Sequence, residues 1–300
     1  MPVLRDYTVQ TSVGALLTIM DSLGAHVGSK LQLFATDERT LTDDLCDMFY
    51  IWAQQPGIPT PKYYHPLLQR PLTMTISKST QQEEADYGYD LGIKLDTPEG
   101  IKYAVLQAKV YDPQSNKLRC DSQQGWIKLS SQLILMRAWL QSWGSDLAYL
   151  LIYVPISKLA RPVLPVSTWE IGVAQTLKPR SKKNAAFGAT LIRFDSLLDK
   201  NQAWKLTPPV KHVRNGLFKP AGITLSRLLI DLLLCNQGRW IPRGGFQADG
   251  SGPNTELRHG FPFNYIPYRE IGISVEDISR EEWREYITEL REIWNNELIG

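Results

Sequence analysis

The chain has 300 residues, 43% hydrophobic and 21% charged, with a net charge of +2 and a pI near 8.3. This balance excludes a disordered polyelectrolyte and supplies apolar material for one elaborated domain or two smaller ones. Three cysteines, Cys46, Cys120 and Cys235, are odd in number and far apart, which argues against a disulfide framework or zinc ribbon and fits a reducing, cytoplasmic setting.

The first residues, Met1 to Asp6, lack the basic and apolar segments of a signal peptide. The next region is expected to be mainly helical, with Val13–Ile19 and Leu31–Phe34 bracketing a stretch that contains Gly24 and Gly28. A clearer helix is predicted after Thr42 as N-cap, with Asp43 and Asp44 in its first turn and Leu45, Met48, Phe49 and Trp52 along it. It ends before Pro56 and Gly57. A proline-rich connection follows, carrying His65 as a surface or partly packed residue.

Asp90 opens an apolar stretch, Leu91–Leu95, and a second stretch, Ile101–Tyr111, follows after Asp96, Thr97, Pro98, Glu99 and Gly100. This predicts a hairpin, with Pro98 presetting one backbone angle of the turn and Gly100 accepting a positive one. Gln107 and Lys109 are two residues apart and leave the same face of the second strand, while Ala108 and Val110 point the other way with Leu91 and Ile93. An amide and a lysine on an apolar strand beside an aspartate need a reason, because unpaired burial is costly. A bound metal with its water supplies one. The competing reading is a lysine snorkelling from an edge strand, an aspartate capping a turn and a glutamine facing water.

A helix is predicted over Trp126–Trp143, with Ile127, Leu133, Leu135, Met136, Trp139 and Leu140 on its apolar side and Gln132 on its flank. Leu147–Val154 is nearly continuously apolar, as a central strand buried on both faces would be. The longest apolar runs, Leu147–Ile156 and Leu228–Cys235, are too short to cross a bilayer, so no membrane is expected. Ser167–Val173 and Ala189–Phe194 are candidate strands. Thr224–Cys235 reads as a helix with Arg227 and Asp231 spaced as a surface pair and Cys235 as a core thiol. Residues 236–260 read as a long glycine-rich loop and 261–268 as an aromatic segment. Ser279 and Glu282 form a capping box ahead of a stripe of Trp283, Tyr286, Ile287, Leu290, Trp294 and Leu298, expected to dock on the domain.

Glu84, Gly88 and Asp90, then Gln107 and Lys109, resemble the motif of the PD-(D/E)xK restriction-endonuclease-like nucleases, in the branch where glutamine replaces the second acid. The resemblance covers about residues 75–156 and includes the following helix and strand. It implies an α/β fold: a restriction-endonuclease-like core with a mixed central sheet flanked by helices, plus helical N-terminal and irregular C-terminal additions. The parts run over 1–72, 73–160 and 161–300. It further implies Asp90 as principal Mg²⁺ ligand, with Mn²⁺ able to substitute, Glu84 as auxiliary ligand and Gln107 as a weaker ligand through its oxygen. Lys109 would orient or activate the attacking water and stabilise the charged transition state. Glu83 and Asp86 compete with Glu84 for its role. Such a site needs only one or two carboxylates and a phosphate oxygen, because Mg²⁺ keeps several waters.

The expected activity is therefore metal-dependent hydrolysis of DNA. Two basic runs, Lys178, Arg180, Lys182 and Lys183, and then Lys211, His212, Arg214 and Lys219, would neutralise phosphates. The chain shows neither a Walker-type loop nor zinc-finger spacing. By analogy it would serve as the effector of a prokaryotic antiviral defence or restriction system, beside an ATPase, helicase or sensor partner or as a homo-oligomer. Two alternatives stand beside this: a catalytically inactive subunit of the same fold that binds nucleic acid or protein, and an unrelated scaffold whose interface is the C-terminal helix.

Overall fold

The computed structural model describes residues 7–34, 36–54, 59, 63–78, 89–112, 117–118, 147–154, 188–193, 222–236, 240, 269–275 and 277–295. The predicted strand 167–173, the helix 126–143, both basic runs, Glu84 with its competitors Glu83 and Asp86, and the aromatic segment lie outside the described residues, as does nearly all of the glycine-rich loop.

The described elements, in chain order, are β1 (Tyr7–Ser12), α1 (Val13–Leu33), α2 (Glu38–Gln54), a 3-10 turn (Pro66–Gln69), β2 (Pro71–Lys78), β3 (Leu91–Thr97), β4 (Gly100–Asp112), β5 (Lys117–Leu118), β6 (Ala148–Tyr153), β7 (Ala189–Arg193), β8 (Gly222–Ile223), α3 (Leu225–Leu233), β9 (Arg269–Ser274) and α4 (Arg280–Ile293). They form an α/β arrangement in which helices flank one mixed sheet. Its strand order is β1-β2-β9-β3-β4-β6-β7-β8, with the short β5 paired to β4. The β3–β4 hairpin is antiparallel and turns at Pro98 and Glu99, with Thr97 opposite Gly100. Gly100 has φ 143°, an angle that glycine adopts without strain. Strand β4 lies between β3 and β6, parallel to the latter, and β9 lies between β2 and β3, parallel to β3.

Pleating sorts the side chains onto two faces. On one face Leu91, Ile93, Leu95, Ala104, Leu106, Ala108, Val110, Leu151 and Ile271 join a core shared with Leu16, Leu17 and Leu23 of α1, Phe49 of α2 and Leu228 and Leu229 of α3. The other face of β3 and β4 carries Asp90, Gln107 and Lys109, by the same alternation. Helix α1 runs unbroken through Gly24 and Gly28, where Gly188 approaches it closely. A Cβ on Gly188, whose φ is +69°, would stand 2.0 Å from the Gly24 carbonyl oxygen and 2.9 Å from the Gly28 Cα. At Gly188 the absence of a side chain is therefore a packing requirement as well as a backbone one.

Two buried polar networks fix the helices on the core. Tyr63 donates to the Asp21 carboxylate of α1 at 2.7 Å, and Ser226 at the start of α3 donates to its other oxygen. Burial, then the Asp21 charge, pushes the Tyr63 phenol up, so it remains a donor. Lys102, almost fully buried, donates to the Leu232 carbonyl at 3.0 Å and lies 4.4 Å from the centre of the Trp240 ring; burial holds its ammonium below the ordinary lysine value.

Several expectations are corrected here. The N-terminal region is mainly helical, through α1 and α2, but it also supplies an unforeseen strand: Tyr7–Ser12, rich in β-branched residues, pairs antiparallel with β2. Thr42 is not an N-cap. Helix α2 begins at Glu38, and Asp37 caps it by accepting the Thr40 amide at 2.8 Å, a bond that, with its other partners, holds the Asp37 carboxyl below its usual value. Thr42 is buried within the helix, donating to the Glu38 carbonyl and bonding the Tyr153 hydroxyl at 2.9 Å. Cys235 is exposed, not a core thiol, because the chain leaves α3 there with φ 58°. The Arg227–Asp231 pair forms at 3.0 Å, but Asp231 is buried, so the pair is only half at the surface. In the C-terminal part, Arg269–Ser274 is a regular strand in the middle of the sheet. Its alternating burial shows a period of two in a segment too short to stand out in the sequence.

The terminal helix follows its sequence pattern. Its capping box forms, and Trp283, Tyr286, Ile287, Leu290 and Trp294 are buried. Tyr286 donates to the Leu67 carbonyl at 3.0 Å, while Arg280 and Arg284 grip Glu99 at the hairpin turn. The stripe therefore docks on its own domain. Among the described residues no helix is long and apolar enough to cross a membrane.

Candidate functional site

The site lies where β4 outruns β3. Leu91, the first residue of β3, is opposite Leu106, so the ladder leaves the next inward-facing amide of β4, that of Ala108, without a strand partner. Asp90 supplies it: its backbone amide bonds the Leu106 carbonyl at 2.9 Å, and its Oδ2 accepts the Ala108 N–H at 2.6 Å. The same oxygen accepts from the Gln107 side-chain amide. Asp90 is 6% exposed, Gln107 1% and Lys109 7%. The edge-strand alternative fails at this point, since β4 is internal and neither Gln107 nor Lys109 faces water, although Asp90 does serve as a cap.

Gln107 directs its amide nitrogen at a carboxylate, which fixes the orientation of the group: reversing it would set two acceptors face to face. Among the described residues its Oε1 is left buried with no hydrogen-bond partner. A buried amide oxygen in that state carries an unmet cost of about 1–3 kcal/mol. Lys109, two residues on and on the same face, reaches the Glu38 carboxylate at 2.7 Å. Glu38 is in the first turn of α2 and about one-third exposed, so the pair is at the margin of the site.

Behind the other face, α2 is tied down a second time. Arg269, at the start of β9 and almost fully buried, donates through Nε to Asp43 Oδ1 at 2.8 Å. Its terminal nitrogens reach the Asp90 and Arg39 carbonyls, each at 3.4 Å. Tyr153 at the end of β6 bonds Thr42 of α2, and burial pushes its phenol up. On the polar face, Tyr103 donates to Glu270 at 2.8 Å; burial, and secondarily the Glu270 charge, raises its phenol.

Asp90, Gln107 and Lys109 are thus together on one strand pair, whereas Glu84 and the basic residues Lys178, Arg180, Lys182, Lys183, Lys211 and Arg214 lie outside the described residues. Among the described residues Asp90 is joined by no two further His, Cys, Asp or Glu side chains in a metal-sized cluster. A cation held here would draw on the Gln107 oxygen, and the orphaned Oε1 beside a carboxylate suits a hard, oxygen-seeking ion. Sequence reasoning missed Glu38 and Arg269. Glu38 was hidden by starting α2 five residues late, and Arg269 by treating the C-terminal part as irregular. No family model, curated protein or solved structure matches the chain.

Proposed function

We propose that the chain is a divalent-metal-dependent phosphodiesterase of the PD-(D/E)xK type, a DNA endonuclease on a restriction-endonuclease-like core. Asp90 and Gln107 would be its cation ligands, with Glu84 as the auxiliary ligand that the motif implies, and Lys109 its catalytic lysine. The observation that carries this reading is the buried Gln107 Oε1, without a partner among the described residues, next to the Asp90 carboxylate and on the face that carries Lys109. A protein interior rarely retains such an atom unless something else binds it.

When bound, Mg²⁺ or Mn²⁺ would offset the phosphodiester charge and make a bound water acidic. The chain's own residues do the rest. Asp90 keeps one oxygen fixed by the Ala108 N–H and the Gln107 amide, which preorganises the carboxylate. Glu38 holds the Lys109 ammonium on the same face, where a positive charge can meet the attacked phosphate. In this reading the basic runs over 178–183 and 211–219 contact the DNA backbone, and an ATPase, helicase, sensor or second copy of the chain in the cytoplasm triggers cleavage.

The test is incubation of supercoiled and linear DNA with the protein in Mg²⁺, Mn²⁺ or EDTA, beside Asp90→Ala and Lys109→Ala. Divalent-dependent cutting abolished by both substitutions is the expected result. Cutting that neither affects would place the activity elsewhere and end the assignment.

One observation favours an inactive subunit of the same fold. The two bonds to Asp90 Oδ2 account for that residue as a strand cap with no metal involved. DNA binding without cleavage in any divalent ion would select this second reading.

A further inference from the structure

We propose that Arg269 is a positioning residue of this site, setting where the Asp90 carboxylate lies by fixing the Asp90 carbonyl against the first turns of α2. Its consequence for metal binding rests on the function proposed above; its consequence for Asp90 does not.

The guanidinium is 1% exposed. A charge so buried is retained only where its donors are matched, and one buried pair rarely adds net stability over an apolar replacement. Here the donors reach three places the chain does not otherwise bring together: the Asp43 carboxylate, the Arg39 carbonyl in the turn that carries Glu38, and the Asp90 carbonyl. Asp90 precedes the first ladder pair of β3 and bonds the Leu106 carbonyl of β4 through its backbone amide. Its Oδ2 also accepts the Ala108 N–H and the Gln107 amide, so where the Asp90 backbone sits sets the geometry of both bonds.

Arg269 holds that backbone from behind the sheet, through the Asp90 carbonyl. The register makes this possible: β9 runs parallel to β3 with Glu270 beside Gly92, so Arg269 emerges alongside the β3 start. The planar fork matters as much as the charge, because a lysine could serve one of the three acceptors well but not all of them. Outer partners of this kind commonly alter metal affinity by about 10- to 100-fold when removed.

The experiment uses the full chain as wild type, Arg269→Lys and Arg269→Met. Amide hydrogen exchange is read by NMR at Ala108, whose N–H is bonded to Asp90 Oδ2, and referenced to the Leu151 amide in β6. Mn²⁺ binding is measured by electron paramagnetic resonance on the same samples. The expected result is a folded Arg269→Lys protein in which Ala108 exchanges on the order of tenfold faster relative to Leu151, with Mn²⁺ affinity lowered about 10-fold or more. A merely structural role would speed both amides together. Unchanged Ala108 exchange in folded Arg269→Lys overturns the inference, and that variant decides it if Arg269→Met does not fold. Faster Ala108 exchange in a protein whose wild type binds no Mn²⁺ supports the positioning of Asp90 and overturns the metal-site reading alone.

Discussion

Lys109 and Glu38, separated by 71 positions in the sequence, meet at 2.7 Å across the end of the sheet, so the candidate catalytic lysine is oriented by the first turn of a helix that precedes it. The contact joins two links that the sequence kept apart: the strand register that exposes Lys109 on the polar face, and the capping at Asp37 that begins α2 at Glu38. Glu38→Gln should leave stability within about 1 kcal/mol, because the pair is partly exposed. Cleavage should fall about tenfold or more through loss of lysine orientation. Single-turnover kinetics beside a denaturant titration separates the two effects, and an unchanged rate would remove Glu38 from the site.

Asp90 has two separable duties. Asp90→Ala leaves the buried Ala108 N–H without its acceptor and should cost about 1–3 kcal/mol. Asp90→Asn retains an oxygen for that bond and should cost less. Both should abolish metal-dependent cleavage, since an amide is a poor ligand for Mg²⁺ compared with a carboxylate. Urea titrations of the two variants, set beside DNA cleavage, check the ordering.

Gln107→Glu would set a second carboxylate against Asp90 in place of an amide donor. Two buried like charges repel, so the variant should be less stable than wild type in EDTA. A cation bound between them would restore much of the loss, because binding to the folded state alone raises stability. Thermal unfolding in EDTA and in Mg²⁺ should therefore show a larger Mg²⁺-induced rise in Tm for Gln107→Glu than for wild type. Equal rises would argue that no cation sits at this position.

Gly188→Ala should be strongly destabilising. The new Cβ would be forced against the Gly24 carbonyl, and the backbone there has φ +69°. Strain and overpacking together suggest a loss on the order of 3 kcal/mol or more. Chemical denaturation measures it directly.

The hairpin turn gives a pH dependence. Burial works to raise the Glu99 carboxyl, but the Arg284 and Arg280 guanidiniums outweigh it and hold the group below its usual value. A depressed folded value means that this contribution is complete above the unfolded carboxylate value, about pH 4, and is lost as the pH falls through the lower folded value. Comparing Tm for wild type and Glu99→Gln should show the gap closing below about pH 4. A gap that stays constant into acid would mean that the two arginines do not stabilise the ionised form.

The sequence by itself determined the parts whose cause is local. The hairpin follows from Pro98 and Gly100 between two apolar runs, α4 from Ser279, Glu282 and a helical stripe, and α3 from Thr224 and its leucines. The common face of Gln107 and Lys109 follows from strand periodicity alone. Only the tertiary structure decided that β9 enters the sheet beside β3, that Glu38 reaches Lys109, and that Arg269 braces Asp90. Each of these joins residues 71 to 179 positions apart. Such contacts arise when distant segments bury their apolar faces together, and a short alternating strand or a lone arginine carries no local mark of where it will dock. Gly24 and Gly28 make the same point in reverse. In sequence they leave the element boundaries open, whereas in the folded chain α1 runs through both and Gly188 lies against its backbone there.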